Sequence, residues 1–142
     1  MSETYRNEQP GYVIVISLVA LVLILIVSTM AYIGNTSVII TTILVLAILL
    51  FYKLTVTVDK EYLRIRFGIG LIRKKFRLSQ IRSVQIVQNR WYHGWGIHLS
   101  PDGWVFNVSG WDAIELTMKN GAKYRKGTND PKRLYAAIHR HI

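Results

Sequence analysis

YVIVISLVALVLILIVSTMAYI, residues 12–33, runs 22 residues without a charge. At about 1.5 Å per residue such a helix is about 33 Å long, enough for a hydrocarbon core of about 30 Å. Only GNTS, residues 34–37, separates it from a second apolar run, VIITTILVLAILLFY at 38–52, which stops at Lys53. The second run is short for a span, but Ser37 and Lys53 extend it, because a lysine ammonium reaches back to the interface. The pair reads as a transmembrane hairpin over residues 12–53, behind a short segment 1–11. A cleaved signal peptide fits less well: its apolar stretch is about 7–15 residues and comes after a positive leader. Here the run is longer, and the leader carries Glu3, Arg6 and Glu8. A buried soluble hairpin would need an apolar shell that the rest of the chain does not supply.

The charges divide as sharply as the hydropathy. The 142 residues carry a net charge of +10, and from Lys53 onward there are 17 basic residues against 6 acidic ones. The turn at 34–37 carries none. The positive-inside rule therefore puts the larger part of the chain, and both termini, on the cytoplasmic side of a plasma (inner) membrane. Tyr12, Tyr32 and Tyr52 fall near the ends of the spans, where interfacial aromatics belong. The absence of cysteine removes disulfides, thiolate nucleophiles and sulfur-ligated metals.

Beyond Lys53 the period shortens to two. LTVTV at 54–58 alternates, DKE turns, and YLRIRF at 62–67 places Leu63, Ile65 and Phe67 on one face with Arg64 and Arg66 on the other. After Gly68-Ile69-Gly70, the stretch 71–78 sets Ile72, Phe76 and Leu78 against Arg73, Lys75 and Arg77, with Lys74 beside them; the two strands read as an antiparallel hairpin. Next come a strand at 81–87 and an aromatic loop at 91–96. Two further hairpins turn at Pro101-Asp102-Gly103 and Asn120-Gly121. Asp130 as N-cap with Pro131 at the first helical position opens a closing helix over 130–142, with Leu134, Ala137, Ile138 and His141 on one stripe. The expectation is an α+β membrane protein: the helical hairpin, then a domain at 54–142 of seven or eight antiparallel strands, bent into a partial barrel and capped by a helix. No βαβ alternation argues for a parallel sheet.

Gly94-Trp-Gly-Ile97, Asn107-Val-Ser-Gly110, Ala113-Ile-Glu-Leu116, Lys119-Asn-Gly121 and Lys126-Gly-Thr-Asn-Asp-Pro131 together resemble the C-terminal half of bacterial pleckstrin-homology-like (PH-like) domains. The resemblance extends from about residue 54 to the end and is most specific over 94–138. It implies two nearly orthogonal antiparallel sheets with a C-terminal helix. In that family a membrane hairpin often precedes the domain, and some members assemble into oligomers or serve in envelope stress and resistance to membrane-active peptides. It supplies no ligand motif.

The candidate binding residues are Arg64, Arg66, Arg73, Lys74, Lys75 and Arg77. So close behind the second helix, they would meet anionic headgroups, each worth about 1 kcal/mol near the surface. A solvated face that only fixes topology, and a protein partner, stay open beside that reading. Trp91, Tyr92 and Trp95 are candidate interfacial aromatics, Trp91 and Tyr92 at a loop tip above all; the favoured reading of the cluster, with Trp104 and Trp111, is packing for the ends of the sheets, because large aromatics dominate small cores. His93 and His98 near Ser100 and Asp102 invite a hydrolase or metal reading, but no third ligand and no nucleophile motif joins them. The expectation is no enzyme, no cofactor and no metal. Nucleic acid is set aside because the basic residues lie where topology already demands them and no recognition element accompanies them. Ser17 with Ala20, and Ser28 with Ala31, offer small residues for helix packing, either within the hairpin or between copies. Two functions are consistent with these features: a membrane-anchored module acting through anionic lipid or through assembly with itself or other membrane proteins, and a subunit or immunity/stress-resistance factor whose hairpin binds a membrane partner.

Overall fold

The computed structural model describes residues 5–30 and 34–142. Its core is built by period-two strands. In β2 (Lys53–Val58), Leu54, Val56 and Val58 are fully buried; in β3 (Tyr62–Phe67), Leu63, Ile65 and Phe67 are. With β4 (Ile72–Arg77) these strands form an antiparallel sheet that has a fourth member, β1 (Tyr5–Pro10). The segment 1–11 thus contains a strand that alternation does not reveal. YRNEQP has no apolar period, and it pairs with β2 because its Tyr5 and Gln9 sit inward opposite Val58 and Leu54.

Between β1 and β2 run α1 (Tyr12–Thr29) and α2 (Asn35–Phe51), neither with a buried residue. By length and composition α1 is apolar enough to cross a membrane, with mean hydropathy 2.9, and α2 is a shorter apolar helix. At about 1.5 Å per residue they are about 27 and 26 Å long. Asn35, Thr36 and Ser37 belong to the first turn of α2 rather than to the connection, and Ser37 Oγ donates to Gly34 O at 2.8 Å. Ala31, Tyr32 and Ile33 lie outside the described residues. The half-buried positions Ile14, Leu18, Val22 and Leu25 of α1, and Ser37, Thr41, Leu44 and Ile48 of α2, recur at helical spacing and form the seam between the helices. Ser17 and Ala20 are exposed, off that seam.

A single 3-10 turn at Leu78–Gln80 carries the chain into the second sheet. This sheet comprises β5 (Ile81–Gln88), β6 (Gly96–Ser100), β7 (Gly103–Asn107), β8 (Asp112–Met118) and β9 (Lys123–Gly127), in the order β5-β8-β9-β7-β6. The three anticipated hairpins form. Beyond the helices the chain forms eight strands, β2 to β9, within the seven or eight expected there, and β1 adds a ninth from the N-terminal segment; one pairing is parallel, since β9 slots between β8 and β7 and runs alongside β7. The two sheets enclose Phe67, Phe76, Phe106, Ile114 and Leu116, and α3 (Pro131–His139) closes the core with Leu134 and Ile138. Asp130 caps α3 by accepting from Arg133 N–H at 3.4 Å. His141 falls beyond the helix end.

Candidate functional site

The hairpin helices and the first sheet are joined without a linker. β1 leads into α1 through Gly11, whose N–H donates to Tyr52 O at 2.7 Å, and α2 passes into β2 at Lys53. The antiparallel helices therefore continue an antiparallel strand pair. The β3–β4 turn rises to the same level: Gly68 N–H donates to Lys53 O at 2.8 Å and Ile69 N–H to Leu49 O at 3.2 Å. A Cβ on Gly68 would run into the carbonyls of Leu49 and Leu50, and its φ of +47° also suits glycine. The turn exposes Ile69 and Leu71 beside the end of α2.

Away from the core, this sheet presents two cross-strand rows. Nearer the helices are Glu8, Thr55, Arg66 and Arg73; one pleat further on are Arg6, Thr57, Arg64 and Lys75; Tyr62 and Arg77 face each other beyond them. A groove of about 410 Å³ runs over these rows, lined chiefly by Arg6, Thr55, Arg64, Arg66, Arg73 and Lys75. Lys74 also lines the groove and is exposed, but its register opposite Ile65, between Ile72 and Phe76, sets it apart from the two rows, with its ammonium 5.8 Å from the Phe76 ring and 5.7 Å from Tyr124.

The charges in the groove differ in how they are held. Arg64 pairs with Asp59, and Arg6 with Glu8 at 3.0 Å. Burial pushes the Asp59 carboxyl up, but the N–H groups of Glu61 and Tyr62, and Arg64, outweigh it and leave the group below its ordinary range. The hydrogen bond from Arg6, helped by Lys53, holds Glu8 down. Lys75 stands 3.8 Å above the Tyr62 ring. Among the described residues Arg66 and Arg73 have no carboxylate partner, although they lie directly opposite each other. Gly70 lies against both: Arg73 Nε donates to its carbonyl at 2.7 Å, and the Arg66 stem crosses so close that a Cβ there would be 2.8 Å from Arg66 Cδ.

The aromatic residues lie at the surface rather than in the ends of the core. Trp91 is 82 % exposed, and Tyr92, Trp95, Trp104 and Trp111 are each a third to a half exposed. The core rings are instead Phe67, Phe76 and Phe106, with Tyr124 against them. Trp95 and Trp111 pair at 5.4 Å. They flank the β7–β8 connection, where Ser109 Oγ donates to Pro10 O at 2.8 Å and Gln9 Nε2 donates to Ser109 O at 2.7 Å. That pair therefore sits beside the start of α1. Trp91 and Tyr92 belong to the segment that crosses from β5 to β6 over the outer face of the second sheet.

His93 and Asp102 do meet, at 2.7 Å, but the geometry uses up the imidazole. Nδ1 accepts from Arg90 N–H at 2.8 Å, so Nε2 carries the proton toward Asp102, and the ring is 1 % exposed. The His93 hydrogen bond, with Arg125 nearby, holds the Asp102 carboxyl below its ordinary range. Among the described residues no cluster of three metal-ligating side chains occurs. One group had no signal in the sequence: Lys126 lies inward on β9, opposite Ile114 and Phe106, 2 % exposed, its pKa pushed down by burial to about 7. No family model matches the chain, and no curated protein is detectably similar to it in sequence.

Proposed function

We propose that the chain is a non-enzymatic, membrane-anchored PH-like module: α1 and α2 span the inner membrane, and the basic face of the first sheet contacts anionic headgroups on the cytoplasmic side. The observation that carries this reading is the direct continuation of the helices into β1 and β2. It leaves two unburied apolar helices on one side of the junction and a row of arginines on the other. At about 3.4 Å per residue, Thr55 and its row lie about 14 Å from Phe51 at the end of α2, and Thr57 and its row about 20 Å. The headgroup layer is about 5–8 Å deep, so the first row reaches it through its long arginine side chains, and the second row lies further out. Ile69 and Leu71 at the turn, and the Trp95–Trp111 pair beside α1, supply apolar contacts at the same level. Two sheets closed by a C-terminal helix suit the PH-like resemblance.

The test uses the whole chain, because a fragment beginning at Leu54 would lack β1. Alkaline extraction of membranes should leave the protein in the pellet. Native mass spectrometry from nonionic detergent should then find anionic phosphatidylglycerol retained in preference to phosphatidylcholine. The variant R64Q/R66Q/R73Q/K75Q/R77Q should lose that preference. Release by alkali would remove the anchor; equal retention of both lipids by the wild-type chain would remove the lipid contact and favour a protein partner.

A further inference from the structure

We propose that Arg66, Arg73 and Thr55 form a single phosphate-binding site in the groove of the first sheet; this deepens the lipid-contact reading above and rests on it. Like charges directly opposite each other in an antiparallel pair are destabilising, and a counter-charge ordinarily relieves them. Arg64 has Asp59 for that purpose, whereas Arg66 and Arg73 face each other with none among the described residues. Both nevertheless run against Gly70, Arg66 through its stem and Arg73 through a hydrogen bond from Nε. Two guanidinium groups on facing residues present the forked donors that match phosphate oxygens.

The second observation is independent of charge. Thr55 is next to Arg66 in the same row, lines the groove and is 3 % exposed, and its Oγ1 is buried without any hydrogen-bond partner. A buried hydroxyl in a native protein ordinarily has a partner, and an isolated one costs stability. An oxyanion held between Arg66 and Arg73 would accept its proton. The site's chemistry is thus a phosphate group received by two guanidinium groups and one hydroxyl. Its position in the row nearer the helices favours the phosphate of a lipid headgroup over one free in solution.

The experiment titrates the whole chain in nonionic detergent calorimetrically with four probes: short-chain phosphatidic acid, short-chain phosphatidylglycerol, short-chain phosphatidylcholine and inorganic phosphate. The variants are T55V, T55S, R66Q/R73Q and, as a charge-matched control on exposed lysines elsewhere, K119Q/K132Q; thermal unfolding and near-ultraviolet circular dichroism confirm that each is folded. A hydrogen bond to a charged group predicts about tenfold weaker binding of phosphatidic acid in T55V, with T55S binding as the wild type does. Loss of both arginines should weaken binding about a hundredfold or more, while the control changes little. If inorganic phosphate binds as tightly as the lipids, the site stands and its ligand is the free anion. Unchanged binding in T55V, or a control as weak as R66Q/R73Q, would overturn the site. Because T55V does not alter net charge, that result would leave the broader electrostatic contact with anionic lipid intact.

Discussion

The two sheets both carry charged residues on their outer faces and neutralise them to different degrees. On the second sheet, Arg125 is bound to Glu115 at 3.0 Å and approaches Asp102 at 3.6 Å; Asp102 holds His93, and Lys123 stands 3.7 Å from Glu115. The crossing segment that carries Trp91 covers this network, and the depression beside it, about 540 Å³, is larger than the groove of the first sheet. On the first sheet, the groove's central arginines, Arg66 and Arg73, have no carboxylate partner among the described residues. Under the proposed lipid contact, volume is therefore a poor guide to the binding site. A charge already neutralised within the protein has little to offer a ligand, whereas an orientated, unneutralised pair has much.

The comparison breaks most visibly at Glu115. Replacing it with Gln leaves Arg125 nearly buried with only the more distant Asp102, so E115Q should lose about 3 kcal/mol in chemical denaturation and leave lipid retention unchanged. If E115Q abolished lipid retention while remaining folded, the assignment of structure to one sheet and binding to the other would be wrong. The next effect concerns the coupling of the first sheet to the helices. G68A meets the end of α2 at a positive φ, so it should cost about 2 kcal/mol and raise hydrogen exchange at Ile69.

A third test uses pH. Between about pH 7 and 10.5 the unfolded chain keeps the Lys126 proton that the folded chain has released, so the unfolded state binds more protons and stability rises with pH. The slope from this group is at most about 1.4 kcal/mol per pH unit. K126M should flatten that rise and be more stable than the wild type at pH 7, as followed by thermal unfolding across the range. The smallest expected effect sharpens the comparison most. R66Q/R73Q should change stability by less than about 0.5 kcal/mol, because it removes a repulsion rather than an attraction, even as it removes ligand binding.

Much of this architecture is legible in the chain because it rests on local pattern. The apolar runs at 12–33 and 38–52, the alternation of Leu63, Ile65 and Phe67 against Arg64 and Arg66, the Asn120-Gly121 turn and the Asp130-Pro131 helix start each declare themselves within a few residues. β1 does not, since Tyr5–Pro10 becomes a strand only by pairing with β2 across the whole helical hairpin, Tyr5 with Val58 and Pro10 with Lys53. The same limit governs the site. Six basic residues could be named from the sequence, but Lys74 shares the register of Ile72 and Phe76 rather than that of the two rows, and Thr55 carries no sequence signal because a threonine in a strand is ordinary.

By itself, the sequence determined the pair of apolar helices, the basic sign of the domain behind them, most of the strands and the closing helix. These depend on hydropathy, on period and on turn residues, all of which act between near neighbours. Only the tertiary structure decided that β1 completes the first sheet, that β9 lies parallel to β7, and that Glu115 and Asp102 neutralise Arg125 while Arg66 and Arg73 face each other without a carboxylate among the described residues. Cross-strand register brings together residues far apart in the chain, and register is fixed by the burial of whole faces rather than by any single residue.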